Sequence, residues 1–277
     1  MPSSSRRPKR ERLRDAQYRD SSNLRARIAL HQRFSTNKYG WQRWVFDHLR
    51  LPEECRILEL GCGAGALWQQ NCSRIAAGRD ISLSDFSQGM VLDARRKLAH
   101  LGRPFAYAAA DAEAVPFRDR SFHCVIANHM LYHVPAIDTA LADIQRVLKP
   151  GGRLFAATNG DAHLREIYNL VAEFDANVAR RYQLLGHQRF SLENGQAQLA
   201  KCFAEVILHR YHDALVIPEA EPLVAYVTSS LAGPKLILAA DRLAQFRSFV
   251  ADRIARDGSI RVTKETGMFE ARRKHAA

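Results

Sequence analysis

The sequence predicts an α/β fold, an open and mostly parallel sheet with helices on both faces, from three observations. An apolar run, Ile57-Leu58-Glu59-Leu60, leads directly into a glycine-dense turn, Gly61-Cys62-Gly63-Ala64-Gly65. Asp85 follows twenty positions after Gly65, closing a second short segment, Leu83-Ser84-Asp85. Lys149-Pro150-Gly151-Gly152 then separates a helical pattern from the apolar run Leu154-Phe155-Ala156-Ala157, so strands and helices alternate. In such sheets ligands bind beyond the carboxyl ends of the strands, where the winding reverses.

Element by element, residues 1–22 read as a basic, disordered arm and 23–277 as one domain. Residues 1–30 hold nine Lys or Arg against Glu11, Asp15 and Asp20, so about half of the net charge of +12 lies near the terminus. Pro2, Ser3, Ser4, Ser5 and Pro8 suit a solvated tail, and an RNA or acidic partner is the other reading. From Asn23 the apolar residues Leu24, Ile28, Leu30 and Phe34, then Trp41, Trp44, Val45 and Leu49, suit two amphipathic helices within 23–50. Residues 51–160 form the cofactor-binding core. The remainder, 161–277, supplies substrate-lid helices and the last strands: a helix from His163 to Tyr182, a strand from Phe203 to Val216, a helical region from Glu221 to Arg256, and a last strand within Gly258 to Arg272.

The glycine turn has the wrong spacing for a dinucleotide fingerprint and no Gly-Lys-Ser/Thr after it, so its ligand is a nucleoside cofactor without a pyrophosphate. Glycine there allows positive φ and lets backbone approach the ligand. Val125 and Ile126 sit in a short apolar run that hands over to Asn128 and His129, where a loop would face that ligand.

In five places and in the same order, roughly residues 40–160 resemble the class I S-adenosylmethionine-dependent methyltransferases. These are Arg56–Gly65, Leu83–Ser87, Ala110–Glu113, Phe122–His133 and Arg146–Ala156. The resemblance implies a Rossmann-like, doubly wound, mostly parallel seven-stranded sheet with an antiparallel final strand and an accessory helical lid. It implies S-adenosyl-L-methionine as cofactor, with Glu59 and Gly61, Cys62, Gly63 and Gly65 at the methionine end and ribose. Asp85, followed by Phe86, would hold ribose hydroxyls, Asp111 and Ala112 the adenine, and Asn128 would present its main chain. Asp80 is a rival to Asp85. The helices before the glycine motif would close over the cofactor, with Tyr39, Trp41 and Trp44 walling the site and Tyr132 beside the substrate; the alternative is that the two tryptophans simply pack helices.

His129 and His133 fall in the loop after the fourth strand, where a neutral imidazole can take a proton from the acceptor, and they are the candidate catalytic residues. They do not form a zinc-protease motif, because Met130 stands where that motif needs Glu. His209 and His212, three apart on a strand, point to opposite faces, so no metal is expected. The five cysteines contain no Cys-x-x-Cys pair, which argues against a zinc site or a disulfide frame. No apolar run reaches membrane-spanning length and the N-terminus lacks a signal-peptide core, so a cytoplasmic location is expected.

The tetrad Asn/Asp-Pro-Pro-Tyr/Phe of base-amine methylating enzymes is replaced here by Asn128-His129-Met130-Leu131. That favours a small-molecule acceptor methylated on O or N, as in specialised metabolism. Nucleic acid or protein, held by the basic arm, is the second choice, and a non-catalytic cofactor-binding protein of the same fold the third. The sequence does not fix the oligomeric state.

Overall fold

The computed structural model describes residues 22–177, 189–229 and 240–274. Most of the basic arm, residues 178–182 of the expected lid helix and 230–239 of the expected third helical region lie outside the described residues. Strands β1 (Cys55–Leu60), β2 (Arg79–Asp85), β3 (Ala106–Ala109), β4 (Phe122–Asn128), β5 (Leu148–Asn159), β6 (Phe203–Ile217) and β7 (Ile260–Arg273) form a single sheet. Their order is β3-β2-β1-β4-β5-β7-β6. The first five pair in parallel, and β7 runs antiparallel to both β5 and β6. The chain winds outward from β1 to β3 on one side and from β4 to β5 on the other, so the reversal falls between β1 and β4.

The two central strands are apolar because helices cover both their faces. On one face Leu58, Leu60, Val125 and Ala127 pack against helix α5 (Ile137–Val147). Its buried residues Ile137, Ala140, Leu141, Ile144 and Val147 make one stripe at helical spacing. On the other face Ile57, Cys124, Ile126 and Phe155 meet α2 (Trp41–Leu49) and α3 (Ala66–Gln70) through Val45, Phe46, Leu49, Leu67 and Trp68. Helix α4 (Gln88–Leu98) starts directly after β2, its first turn capped by Ser87 Oγ, which accepts the Met90 N–H at 3.3 Å.

A third apolar cluster builds a cap. Strand β5 ends at Asn159, opposite Thr266, but β6 and β7 stay paired as far as Ile217 and Ile260. The ribbon overruns the carboxyl edge of the sheet by residues 260–265, about 20 Å at the rise of a strand. Helix α7 (Gly195–Cys202) belongs to the first cluster through Leu199. Helices α1 (Ser22–Phe34), α6 (Arg165–Phe174), α8 (Ala220–Thr228) and α9 (Ala240–Asp257) bury Leu30, Ile167, Val171, Leu223, Val227, Phe246 and Val250 against Leu215, Ile217, Ile260 and Val262 of the ribbon. No helix among the described residues is long and apolar enough to cross a membrane.

Three local expectations change. The lid helix begins at Arg165, not His163, because Leu164 adopts φ 60° as its cap and holds His163 in the preceding turn. The Lys149–Gly152 turn does not leave the sheet: Leu148 still pairs with Phe122, and Arg153 pairs with Cys124, so the turn is a bulge inside β5. The third helical region is divided into α8 and α9.

The cap is fastened to the ribbon by a buried ion pair. Lys264 Nζ lies 2.6 Å from Asp213 Oδ2, with side chains 10% and 0% exposed, and 3.2 Å from Ser35 Oγ at the end of α1. Ser35 Oγ also donates to Asp213, the Asn37 N–H donates to Asp213 Oδ1 at 2.9 Å, and the Thr36 N–H donates to the Ala214 carbonyl at 2.8 Å. Removing one member leaves a buried charge unpaired. Asp213→Asn is therefore expected to lower the unfolding free energy by about 3 kcal/mol in urea titrations, with Asp213→Leu/Lys264→Met losing less than that single variant.

Candidate functional site

The loops after β1, β2, β3 and β4 converge at the carboxyl edge beside the β1/β4 crevice. Gly61, Gly63 and Gly65 all have positive φ, of 70°, 53° and 78°. Their reasons differ. A Cβ on Gly61 would sit 2.7 Å from Met130 Cβ, and one on Gly65 would sit 2.8 Å from Leu98, so these two glycines serve packing within the protein. A Cβ on Gly63 would meet nothing within 4 Å. Only Gly63 turns its bare backbone toward open space, whereas the sequence reading gave all three glycines the task of admitting a ligand.

Asp85 stands next to that opening. Its Oδ2 accepts the Gly63 N–H at 3.0 Å and its Oδ1 the Ser87 N–H at 2.8 Å. Two backbone donors fix the carboxylate while burial raises its pKa. Asp80 lies at the opposite end of β2, in an exposed pair with Arg56. Phe86 is 40% exposed beside Asp85. The Cys62 N–H donates to the Ser84 carbonyl, tying the glycine turn to β2, and burial keeps the Cys62 thiol protonated. The Ala110 N–H donates to the Asp85 carbonyl, bringing the β3 loop alongside. There Asp111 Oδ1 accepts the Glu113 N–H at 3.0 Å and Ala112 is buried.

Below the crevice Glu59 is enclosed, accepting Trp68 Nε1–H at 2.6 Å and sharing a hydrogen bond with the Asn128 side chain. Asn128 Oδ1 and Gln42 Oε1 of α2 are both buried without a partner. Two orphaned amide oxygens, an open backbone at Gly63 and a positioned carboxylate at Asp85 suit a polar cofactor bearing ribose hydroxyls and an amino-acid end. Each orphan costs about 1–3 kcal/mol until a donor pairs with it.

The candidate acceptor side lies between this edge and the cap. His129, at φ 51°, follows β4 and packs its ring 5.1 Å from Trp41, which stacks on Trp44 at 5.1 Å. Tyr211 of β6 stands edge-on to both tryptophans at 5.3 Å. Tyr132 contacts His133 at 4.5 Å and His129 at 6.4 Å. Tyr39 does not join them: it is 50% exposed and its hydroxyl donates to Asp47. The sequence reading missed Gln42, His31 of α1, His163, Tyr211 and Lys264. The His31 and His163 rings stack at 6.3 Å, and Thr266 Oγ1 reaches His163 Nδ1 at 3.4 Å. The signal available was that His31 and Gln42 lie on the helices before the glycine motif and His163 just after the fifth strand, which does not by itself separate them from neighbouring polar residues; Tyr211 and Lys264 lie inside strands and carry no such signal.

Comparison with known proteins gives these loops a context. A methyltransferase domain family model matches residues 58–156. Ubiquinone/menaquinone biosynthesis C-methyltransferases are similar: that of Methylococcus capsulatus is 33% identical over 52% of this chain and 64% of its own length, and that of Pasteurella multocida 35% identical over 41% and 43%. The chain thus spans 43 to 64% of the length of these curated relatives. Among solved structures, Haemonchus contortus phosphoethanolamine N-methyltransferase 2, in complex with S-adenosyl-L-methionine, gives a TM-score of 0.62 over 96% of this chain and 60% of that one at 18% identity. The YcgJ protein of Bacillus subtilis gives 0.57 over 85% and 98% at 19% identity. At these identities the structural likeness speaks for the fold.

Electrostatics set the site's response to pH. Burial, then the nearby Lys264 ammonium, lowers His31 to about 3 and His129 to about 4. His163 is pushed well below the ordinary value by burial and by its histidine neighbours. Burial raises Glu59 to about 8. A histidine depressed on folding contributes stability that is complete above its unfolded value of 6.5 and is lost as pH falls toward the folded value. Glu59 works in the other direction, losing stability as pH rises from 4.5 toward about 8. Below 6.5 three groups oppose one. The melting temperature is expected to fall steadily from pH 6.5 to 4.5 in scanning calorimetry, and Glu59→Gln to raise it at pH 8 while leaving the acid loss in place.

Proposed function

We propose that this chain, whose residues 58–156 match a methyltransferase domain model, is a class I S-adenosylmethionine-dependent methyltransferase that moves a methyl group to an O or N atom of a small-molecule acceptor in the cytoplasm. The observation that carries this reading is the convergence of four loops at the β1/β4 crevice, with Gly63 open and Asp85 fixed at its side. When bound, S-adenosylmethionine supplies an electrophilic methyl group on a cationic sulfonium. Asp85 would hold the ribose hydroxyls, Asp111 and Ala112 the adenine, and Asn128 with Gln42 the amino-acid end. Glu59, largely protonated at neutral pH when the site is empty of cations, would ionise beside a bound positive charge and hold it.

The remaining residues handle the acceptor. The cap closes over the edge and keeps water from the reacting atoms, which strengthens every polar contact inside. His129, held uncharged at working pH, offers a hydrogen-bond acceptor to the acceptor's hydroxyl or amine, and His133, four residues on in the same loop, is the candidate base. The packing of α1, α6 and α8 on the ribbon that overruns the carboxyl edge supports a small acceptor over a macromolecule. The curated relatives are C-methyltransferases by name, which supports carbon methylation as the second reading.

Calorimetric titration with S-adenosylmethionine and S-adenosylhomocysteine, with NAD as control, tests the cofactor. Both are expected to bind and NAD not. Asp85→Ala should weaken both by roughly 1.5–3 kcal/mol for each charge-assisted bond lost, a factor of ten or more. Unchanged affinity in that variant would remove Asp85 from the site.

A further inference from the structure

Resting on that reading of the cofactor site, we propose that His31, His129 and His163 line the acceptor chamber, that His31 binds the acceptor directly, and that the chamber selects a hydroxylated aromatic acceptor over an amine. His129 places the chamber: it follows β4 at the carboxyl edge, next to the crevice. His31 reaches the chamber from α1, stacked on His163 and met edge-on by Tyr226 of α8 at 6.0 Å. Its Nδ1 is buried and has no partner. All three imidazoles are desolvated by the surrounding protein, although the residues as a whole are only part-buried.

The walls and the charge define that ligand. Trp41 and Trp44 stack on one another, with Tyr211 edge-on to both and the His129 ring beside Trp41, and this part-buried aromatic cluster next to His129 suits an aromatic ring. Lys264 is the cation whose field reaches all three histidines, opposed at His31 by its partner Asp213 but unopposed by it at His129 and His163. The facing carboxylate, Asp213, is occupied by Lys264, Ser35 and the Asn37 N–H. Glu265 is likewise occupied, by the Ala162 N–H and by Arg210 at 3.5 Å. An ammonium entering here would face Lys264 with no carboxylate left to pair with it. A phenolic hydroxyl can donate to one neutral imidazole and accept from another, and the Lys264 field favours its ionised form.

Tryptophan fluorescence tests the assignment on the full chain at neutral pH, with catechol and benzylamine as probes and saturating S-adenosylhomocysteine present. Catechol is expected to quench saturably and benzylamine not. His31→Phe should weaken catechol binding about tenfold, the loss of one hydrogen bond, and His31→Gln should restore part of it, with S-adenosylhomocysteine affinity the same in all three proteins. In the unsubstituted protein the His31 ring resonances should shift on adding catechol, a readout independent of how any variant folds. Binding of benzylamine as tight as that of catechol, or binding of neither, overturns the choice of acceptor. Unchanged catechol affinity in His31→Phe with unmoved His31 resonances overturns the role of His31. Failure of S-adenosylhomocysteine to bind the unsubstituted protein is measured separately and removes the cofactor reading on which the chamber rests.

Discussion

The Lys264–Asp213 ion pair, with Ser35 as its third member, governs how the two halves of the site meet. A buried pair is tolerated only when its remaining donors and acceptors are satisfied, and here they are satisfied by the chain just after α1. That requirement brings α1 against the overrunning β6–β7 ribbon and sets His31 above the carboxyl edge. The same ammonium helps hold His31, His129 and His163 uncharged. A single contact therefore determines both where the cap sits and which protonation states it encloses.

The cofactor side and the cap differ in how their polar groups are arranged. On the cofactor side, local backbone donors from neighbouring loops fix Asp85, and the parallel strands beneath are buried on both faces. On the cap side, residues from α1, the β4 and β5 loops, α8, β6 and β7 each contribute one or two groups. The two carboxyls near the crevice also differ. Glu59 is enclosed and shifted by burial to about 8, whereas Asp85 keeps two N–H donors that oppose its upward shift.

Much of the core was legible in the sequence because its signals are local. The run into Gly61, the strand ending in Asp85, the Val125–Ile126 pair and the last strand all sit where periodicity and turn chemistry put them. The Lys149–Gly152 turn was misread because a bulge and a loop use the same residues, and only strand pairing separates them. The distinct duties of Gly61 and Gly63 depend on Met130, far along the chain. His31, His163, Tyr211 and Lys264 become neighbours only through the overrun of β6 and β7, and no spacing in the sequence encodes that overrun.

The long span of the Ser35–Lys264 contact also shapes how the molecule assembles. The two residues are 229 positions apart, and Ser35 and Asp213 are 178 apart. Closing loops of that length comes late, after the local βαβ pairings have formed. During synthesis α1 emerges early and then has no docking surface until β6 and α8 have been made, so the parallel core can condense while the cap is still open. Cofactor-site geometry and acceptor-chamber geometry thus belong to separate stages of folding.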